Sequence, residues 1–510
     1  MTMTRRAALL SGAGLMLAGT APVSSALAQA AAAPRRGGVL TVHLGSEQRI
    51  LNPALRASTG VYIITSKIIE PLVDLGTSGR PEGVLATSWD ASEDGKTITF
   101  KLREGVKWHD GKPFTSADVA YSAMEQWKKH LNYGTTLQLY LDAVETPDAH
   151  TAVFRYSRPM PLNLLLRALC DLGYIVPKHV FETGNVLENP ANTAPIGTGP
   201  FKFDSWARGS AIRLVKSDAY WGEPAALDRV EFRIVPDAAA AVPAVLSGDV
   251  QLFPFFPPDA MSQIEGNPNL KIEVGLTEGE TILSMNNKKT PFDKLEVRQA
   301  VASAIDRKAI IDAASNGLGQ PIGSHMSPAN PAYVDLTGTY PLDLDKAKEY
   351  LAAAGLSDGF KSTIKLPPTP YARLGGEVIA AELRKIGIDL EIIPVEWADW
   401  LSKVYTERDY DMSIVSHTEA NDIDIYARPN YYIGYENPAF NTLADELQVT
   451  NDEARRKELL AEMQTVLAKD VPAVFLFELP KVGVWDAKLE GIWKNAPIQA
   501  NDLTKAKWVD

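Results

Sequence analysis

The residues with the clearest chemical potential stand together at Trp108-His109-Asp110, inside the run KLREGVKWHDGKPFTSADVAYS from 101 to 122. An imidazole next to a carboxylate could serve general acid–base catalysis or hold a metal. His109, however, has no second histidine two to four residues away and no cysteine nearby, so the spacing of a ligand set is missing. Ser362 and Lys365 have SxxK spacing, but a lysine reaches a serine in that way only across one helical turn, and FKSTIKLPP alternates like a strand. None of the seven histidines falls in an HExxH pattern, no G-x-S-x-G elbow occurs, and Gly95-Lys96-Thr97 lacks the earlier glycine of a phosphate loop. Cys170, in NLLLRALCDLGY, has no histidine close in sequence and reads as a small buried apolar residue. No catalytic residue, metal ligand or cofactor is therefore expected.

The elements around His109 account for it as architecture. Ile98, Phe100 and Leu102 alternate with Thr97, Thr99 and Lys101 after an Asp94-Gly95 turn, which predicts a half-buried strand. Asp110-Gly111 makes a second turn and Pro113 blocks continuation. Thr115, with Asp118 three residues on, then opens a helix through Val119, Ala123 and Trp127.

At 510 residues the chain needs several compact units. Arg5 and Arg6, an apolar run from Ala7 to Ala21 and the small-x-small Ala26-Leu27-Ala28 predict an export leader over 1–28, followed by a linker over 29–36. The paired arginines resemble a twin-arginine leader but lack the phenylalanine usual after the pair, so Sec and Tat routes both stay open. No later run approaches the roughly 20 apolar residues of a membrane span, and the only cysteine lies far from the leader, so neither membrane insertion nor a lipid anchor is expected. The formal net charge is −12, and losing a leader with two arginines and no acid makes it more negative. That balance disfavours nucleic acid and anionic lipid as partners.

The second half alternates strand and helix: strand 362–366, helix 372–386 ending at Gly387, strand 388–395, helix 397–406 and strand 412–416. In such α/β sheets ligands lie beyond the carboxyl ends of the strands. Three segments qualify, at 367–373, 396–400 and 417–426, and their content suits a small polar or zwitterionic solute. Arg373 could pair a carboxylate. Asp422 and Asp424 could accept from an ammonium, and Trp397, Tyr426, Tyr431 and Tyr432 offer stacking faces.

Ordered blocks along nearly the whole mature chain resemble one family. They include GGVLTVHLGSEQRILNPA (37–54), IIEPLVDL (68–75), the 85–122 region, PIGTGPFKFDSW (195–206), DAYWGEPAALDRVEFRIVPD (218–237), NNKKTPFDKLEVRQAVASAIDRKAI (286–310) and YDMSIVSH (410–417). This pattern is similar to the extracellular solute-binding proteins of family 5, the dipeptide, oligopeptide and nickel-type receptors of ABC importers. The resemblance implies an α/β, two-lobed periplasmic-binding-protein fold (type II, cluster C-like) with an extra subdomain in the first lobe. Lobe I is expected over 37–284 with the subdomain at 82–196, lobe II over 285–479, and a return to lobe I over 480–510, with hinge strands near Met285 and Leu479.

It also implies a monomeric periplasmic receptor that hands its solute to an inner-membrane permease. Ser46, Glu47 and Gln48, in the loop after strand 39–44, would face the same cleft. Peptide receptors of this type hold the ligand amine with an aspartate after a Gly-Trp. Here Ser416-His417 replaces that pair, so His417 becomes a candidate contact and no one acid inherits the amine. Opines, modified amino acids, short peptides and small sugars remain open as solutes. A secreted hydrolase, or a chaperone-like protein reusing the fold, is the alternative.

Overall fold

Strand Thr97–Leu102 forms as its alternation requires, burying Ile98, Phe100 and Leu102. The structure is a computed structural model and describes residues 34–35, 37–55, 59–75, 80–131, 140–418, 422–450, 452–495 and 503–509. The leader at 1–28 and most of the linker lie outside the described residues, as do 419–421 of the candidate ligand run. Among the described residues no helix is long and apolar enough to cross a membrane.

The turns around His109 follow the chemistry of their residues. Gly95 and Gly111 adopt the left-handed backbone that the two Asp-Gly turns need, at φ of 65° and 88°. The Asp118 carboxylate reaches back 2.8 Å to the Thr115 N–H at the start of helix Ser116–Tyr121. His109 is clamped between these turns and a distant loop. Its backbone N–H donates to the Gly197 carbonyl at 2.9 Å, its Nδ1 accepts from the Gly197 N–H at 3.2 Å, and its Nε2 donates to the Gly199 carbonyl at 2.9 Å. That pattern fixes the neutral Nε2–H tautomer. Burial pushes its pKa down to about 4, against the opposing pull of the Gly199 carbonyl. Gly197 must stay glycine, since a Cβ there would meet the Ile68 carbonyl oxygen at 1.7 Å.

Three of the ordered sequence blocks converge on one buried carboxylate. Glu70, only 4% exposed, accepts from Thr198 Oγ1 at 2.7 Å, Tyr220 OH at 2.8 Å and Trp221 Nε1 at 2.8 Å. Burial raises its carboxyl and these three donors oppose that. The blocks at 68–75, 195–206 and 218–237 therefore meet at a satisfied polar clip inside an apolar core.

The fold is two-lobed and α/β. One sheet has seven strands, in the order Leu270–Gly275, Lys481–Asp486, Leu252–Phe253, Val39–Leu44, Arg229–Ile234, Ala211–Lys216 and Phe201–Ala207. The other has five, in the order Ile388–Pro394, Phe360–Leu366, Met412–His417, Glu280–Met285 and Ala473–Glu478. A four-stranded antiparallel sheet built from Ala86–Ala91, Thr97–Leu102, Thr151–Tyr156 and Leu141–Asp148 forms the extra unit. The chain leaves the seven-stranded sheet after Gly275 and enters the five-stranded one at Glu280. It returns between Glu478 and Lys481. The first crossing is thus at 276–279, ahead of the 284/285 boundary and the Met285 hinge expected from sequence. The reason is that Glu280–Met285 pairs along its whole length with Met412–His417, placing it wholly inside the second sheet.

Register makes the carboxyl edges of both sheets face these crossings. In the first sheet Val39–Leu44 runs parallel to Arg229–Ile234, and Lys481 opposes Gly275, so Leu44, Ile234, Gly275 and Lys481 share one edge. In the second, Phe360–Leu366 runs parallel to both Ile388–Pro394 and Met412–His417, while His417 opposes Glu280 and Glu280 opposes Glu478. Two short crossings join two such edges, the position at which α/β sheets place ligands.

Because the folded pKa of His109 lies below its ordinary 6.5, its contribution is present above pH 6.5 and lost as pH falls towards 4. His109→Ala should destabilise the protein by roughly 2–4 kcal/mol in urea unfolding, since it leaves a buried amide and carbonyl unpaired. It should also flatten the pH dependence across that window; an unshifted urea midpoint would show that the clamp is dispensable.

Candidate functional site

The site grows from the carboxyl edge of the five-stranded sheet. His417 ends its strand and is 8% exposed, and beyond Thr418 the next described residues form a short 3-10 helix over Asp422–Ala427. Asp422 Oδ2 lies 3.2 Å from His417 Nδ1, and Oδ1 lies 2.8 Å from Nε2 of His325. His325 is 1% exposed and arrives on the loop that runs beside strand Ala473–Glu478, held there by the Ile322 N–H on the Leu476 carbonyl. The outer ring nitrogens are also occupied: Tyr432 OH sits 3.2 Å from His417 Nε2, and Tyr426 OH sits 3.3 Å from His325 Nδ1. Burial alone would raise the Asp422 carboxyl, but His325 and His417 outweigh it and hold the group well below the usual carboxylate range.

Two more acids stand in the same row. In antiparallel register directly opposed residues project from one face, so His417, Glu280 and Glu478 line up across three strands. Glu280 is 5% exposed and Glu478 fully buried, and each has one carboxylate oxygen, Oε2, without a hydrogen-bond partner. Burial, with Asp422 and Glu278 nearby, pushes Glu280 well above the ordinary range. Burial lifts Glu478 to about 7 although the Thr277 N–H, at 2.7 Å, favours its charge. Across the crossing, burial lowers Lys481 to about 8.

An aromatic wall adjoins the row. Trp397, 40% exposed, stacks edge-on to Trp400 at 5.6 Å. Trp400 meets Tyr432 at 5.8 Å, and Tyr431 meets Tyr432 at 5.0 Å. The expected helix at 397–406 opens with one turn, Trp397–Asp399, and widens to a π-helical segment over Trp400–Thr406. This turns Trp400 inward, where its Nε1 donates to Ser413 Oγ at 2.9 Å.

The sequence candidates therefore separate. His417, Asp422, Tyr426, Tyr431 and Tyr432 come together, with Trp397 at the exposed end of the wall. Asp424 is set apart by its ion pair with Arg428 at 3.0 Å. Arg373 is occupied as structure: its Nε donates to the Pro367 carbonyl at 3.0 Å and one terminal nitrogen to the Val395 carbonyl at 3.0 Å, which tie down two strand ends. Ser46, Glu47 and Gln48 lie beyond Leu44 on the lobe I edge. Gln48 donates to Ser46, and Glu47 accepts from the Gly209 N–H at 3.0 Å. His325, Glu280 and Glu478 escape a sequence reading. The one local signal was a carboxylate at the end of each of two otherwise apolar strands, ETILSM and AVFLFE.

The model of the bacterial extracellular solute-binding proteins, family 5 (Middle), matches residues 80–441. The chain belongs to this family.

Among family 5 relatives, the dipeptide-binding protein of Escherichia coli (strain K12) is 30% identical over 83% of this chain and 86% of its own length. The periplasmic binding protein DppA from Helicobacter pylori, solved with the peptide STSA, superposes with a TM-score of 0.77 at 27% identity, covering 93% of this chain and 99% of that one. AgaA from A. tumefaciens R10, solved with agropinic acid, gives a TM-score of 0.76 at 28% identity, with the same coverage of 93% and 99%. Family 5 proteins and these relatives are binding proteins rather than enzymes, act outside the cytoplasm and work with ABC permeases.

Glu478 offers a direct check on the polar row. Its folded pKa of about 7 stands above the ordinary 4.5, so the fold prefers the neutral acid. That preference is fully present below pH 4.5 and is lost as pH rises through 7. Glu478→Gln keeps an acceptor for Thr277 and removes the charge. Its melting temperature should therefore exceed that of the parent protein at pH 8 and converge with it at pH 5, as followed by circular dichroism.

Proposed function

We propose that the protein is the periplasmic substrate-binding component of an ABC importer, capturing a small polar or zwitterionic solute between its lobes and delivering it to an inner-membrane permease. A peptide-like compound, an opine or an amino-acid derivative fits best. The observation that carries the reading is the facing of two carboxyl edges across two short crossings, with a polar row and an exposed aromatic face beside them. The names of the relatives, which bind a dipeptide, the peptide STSA and agropinic acid, span the same solute range.

In this reading lobe I comprises 37–275 and 481–510, with the subdomain near 82–196, and lobe II comprises 280–478. Solute contacts come from Trp397, Tyr431 and the row at His417, with Ser46, Glu47 and Gln48 closing from the opposite edge. Bound solute selects the closed form because only there do both edges touch it. Asp422 is engaged by two histidines and Asp424 by Arg428, so neither serves as a simple amine anchor.

Native mass spectrometry of protein taken from its own periplasm should reveal one retained small molecule. A tryptophan-fluorescence screen of peptides, opines, amino-acid derivatives and sugars should then find its class. Trp397→Ala, at an exposed position, should weaken that binding roughly tenfold with the melting temperature unchanged. No retained mass together with silence across the screen would overturn the proposal.

A further inference from the structure

The polar row contains more than a solute groove requires. His325, His417 and Asp422 each offer one donor atom, and the three atoms all lie within 4.8 Å of one another. Each imidazole stands 2.8 or 3.2 Å from the carboxylate between them. A four-coordinate ion with bonds of about 2.0–2.1 Å sets neighbouring donors a little over 3 Å apart, close to the spacing already built here.

The surroundings resemble the outer partners of a metal site. Each ring nitrogen turned away from Asp422 meets a tyrosine hydroxyl, Tyr432 on His417 and Tyr426 on His325. Such a partner takes the remote N–H, fixes the ring and leaves the inner nitrogen lone pair free for a metal. Both tyrosines are themselves buried, so the rings have little room to rotate.

A separate observation points to the same place. Glu280, directly opposite His417 in the ladder, is 5% exposed and has a carboxylate oxygen that meets no donor. An orphaned buried carboxylate beside a second buried acid is costly unless a cation lies between them. A divalent ion held by Asp422 would place compensating charge next to both acids.

We infer that His325, His417 and Asp422 form a three-ligand binding site for one divalent transition-metal ion such as zinc. Two imidazole nitrogens and one carboxylate oxygen suit such borderline ions rather than magnesium or calcium, which prefer oxygen alone. Sequence spacing could not reveal the site, because His325 and Asp422 lie 97 positions apart. The ion would sit in the same row that faces the solute, and its test reads metal uptake by the protein without added solute, so that failure of either reading is seen separately.

The test uses untagged, chelator-treated full-length protein titrated with zinc by calorimetry and with cobalt by visible absorption. One equivalent of zinc and the absorption bands of four-coordinate cobalt with nitrogen and oxygen ligands are expected. His417→Ala should abolish uptake. Glu280→Gln and Tyr432→Phe preserve shape and serve as the decisive variants if the alanine protein fails to fold. Tyr432→Phe should weaken binding by about 10–100-fold, and Glu280→Gln should weaken it by removing a nearby buried acid. Absence of stoichiometric uptake, or equal affinity in the folded Glu280→Gln and Tyr432→Phe proteins, overturns the site.

Discussion

The two crossings between the sheets are hydrogen-bonded to each other, and the rest of the arrangement depends on that. Leu479 N–H donates to the Gly279 carbonyl at 2.8 Å, Thr277 Oγ1 donates to the Leu479 carbonyl at 2.5 Å, and the Thr277 N–H donates to Glu478 Oε1 at 2.7 Å. Ser327 Oγ adds a further bond to the Thr277 carbonyl. The two strands of the connection therefore behave as one narrow ribbon. Sliding one lobe past the other would break this set of bonds together. The ribbon also dictates where chemistry can sit. Each sheet arrives with the carboxyl ends of its parallel strands, so loops of both lobes open onto the same groove.

Buried carboxylates mark the difference between parts that hold the fold and parts left available. Glu70 has three side-chain donors and lies under the junction of three loops. Glu280 and Glu478 are equally buried but incompletely satisfied, and they stand side by side at the crossing. Residue type and burial are the same; the count of donors differs. A satisfied carboxylate specifies one packing, whereas an unsatisfied one at a mobile edge responds to whatever cation or proton reaches it.

Much of this was legible in the sequence. The period-two and period-3.6 patterns of 360–417 give strands and helices within a few residues of those observed, because these segments are half-buried and their patterns survive. The cluster at His417, Asp422, Tyr426, Tyr431 and Tyr432 was legible for a topological reason: it follows the carboxyl end of a parallel strand. What failed was whatever depended on distant partners. Arg373 has the chemistry of an anion clamp, yet the carbonyls of Pro367 and Val395 claim it, and nothing local announces them. His325 sits in a loop without periodicity and reaches the site only because that loop follows strand Ala473–Glu478. ETILSM, a fully buried strand, gives no local sign of which sheet it joins; its pairing with Met412–His417 decides that.

The helix Leu162–Leu172, which follows strand Thr151–Tyr156 of the four-stranded sheet in the chain, sends Arg167 to Glu278 at 2.8 Å, and both side chains are largely shielded from water. Glu278 lies within the first crossing, so the accessory unit holds the bending ribbon by a charged tether. Insertions or drift in that unit would alter the stiffness of the pivot without touching a single solute contact. Receptors with similar grooves could in this way evolve different capture and release rates through a part of the molecule that never meets the cargo.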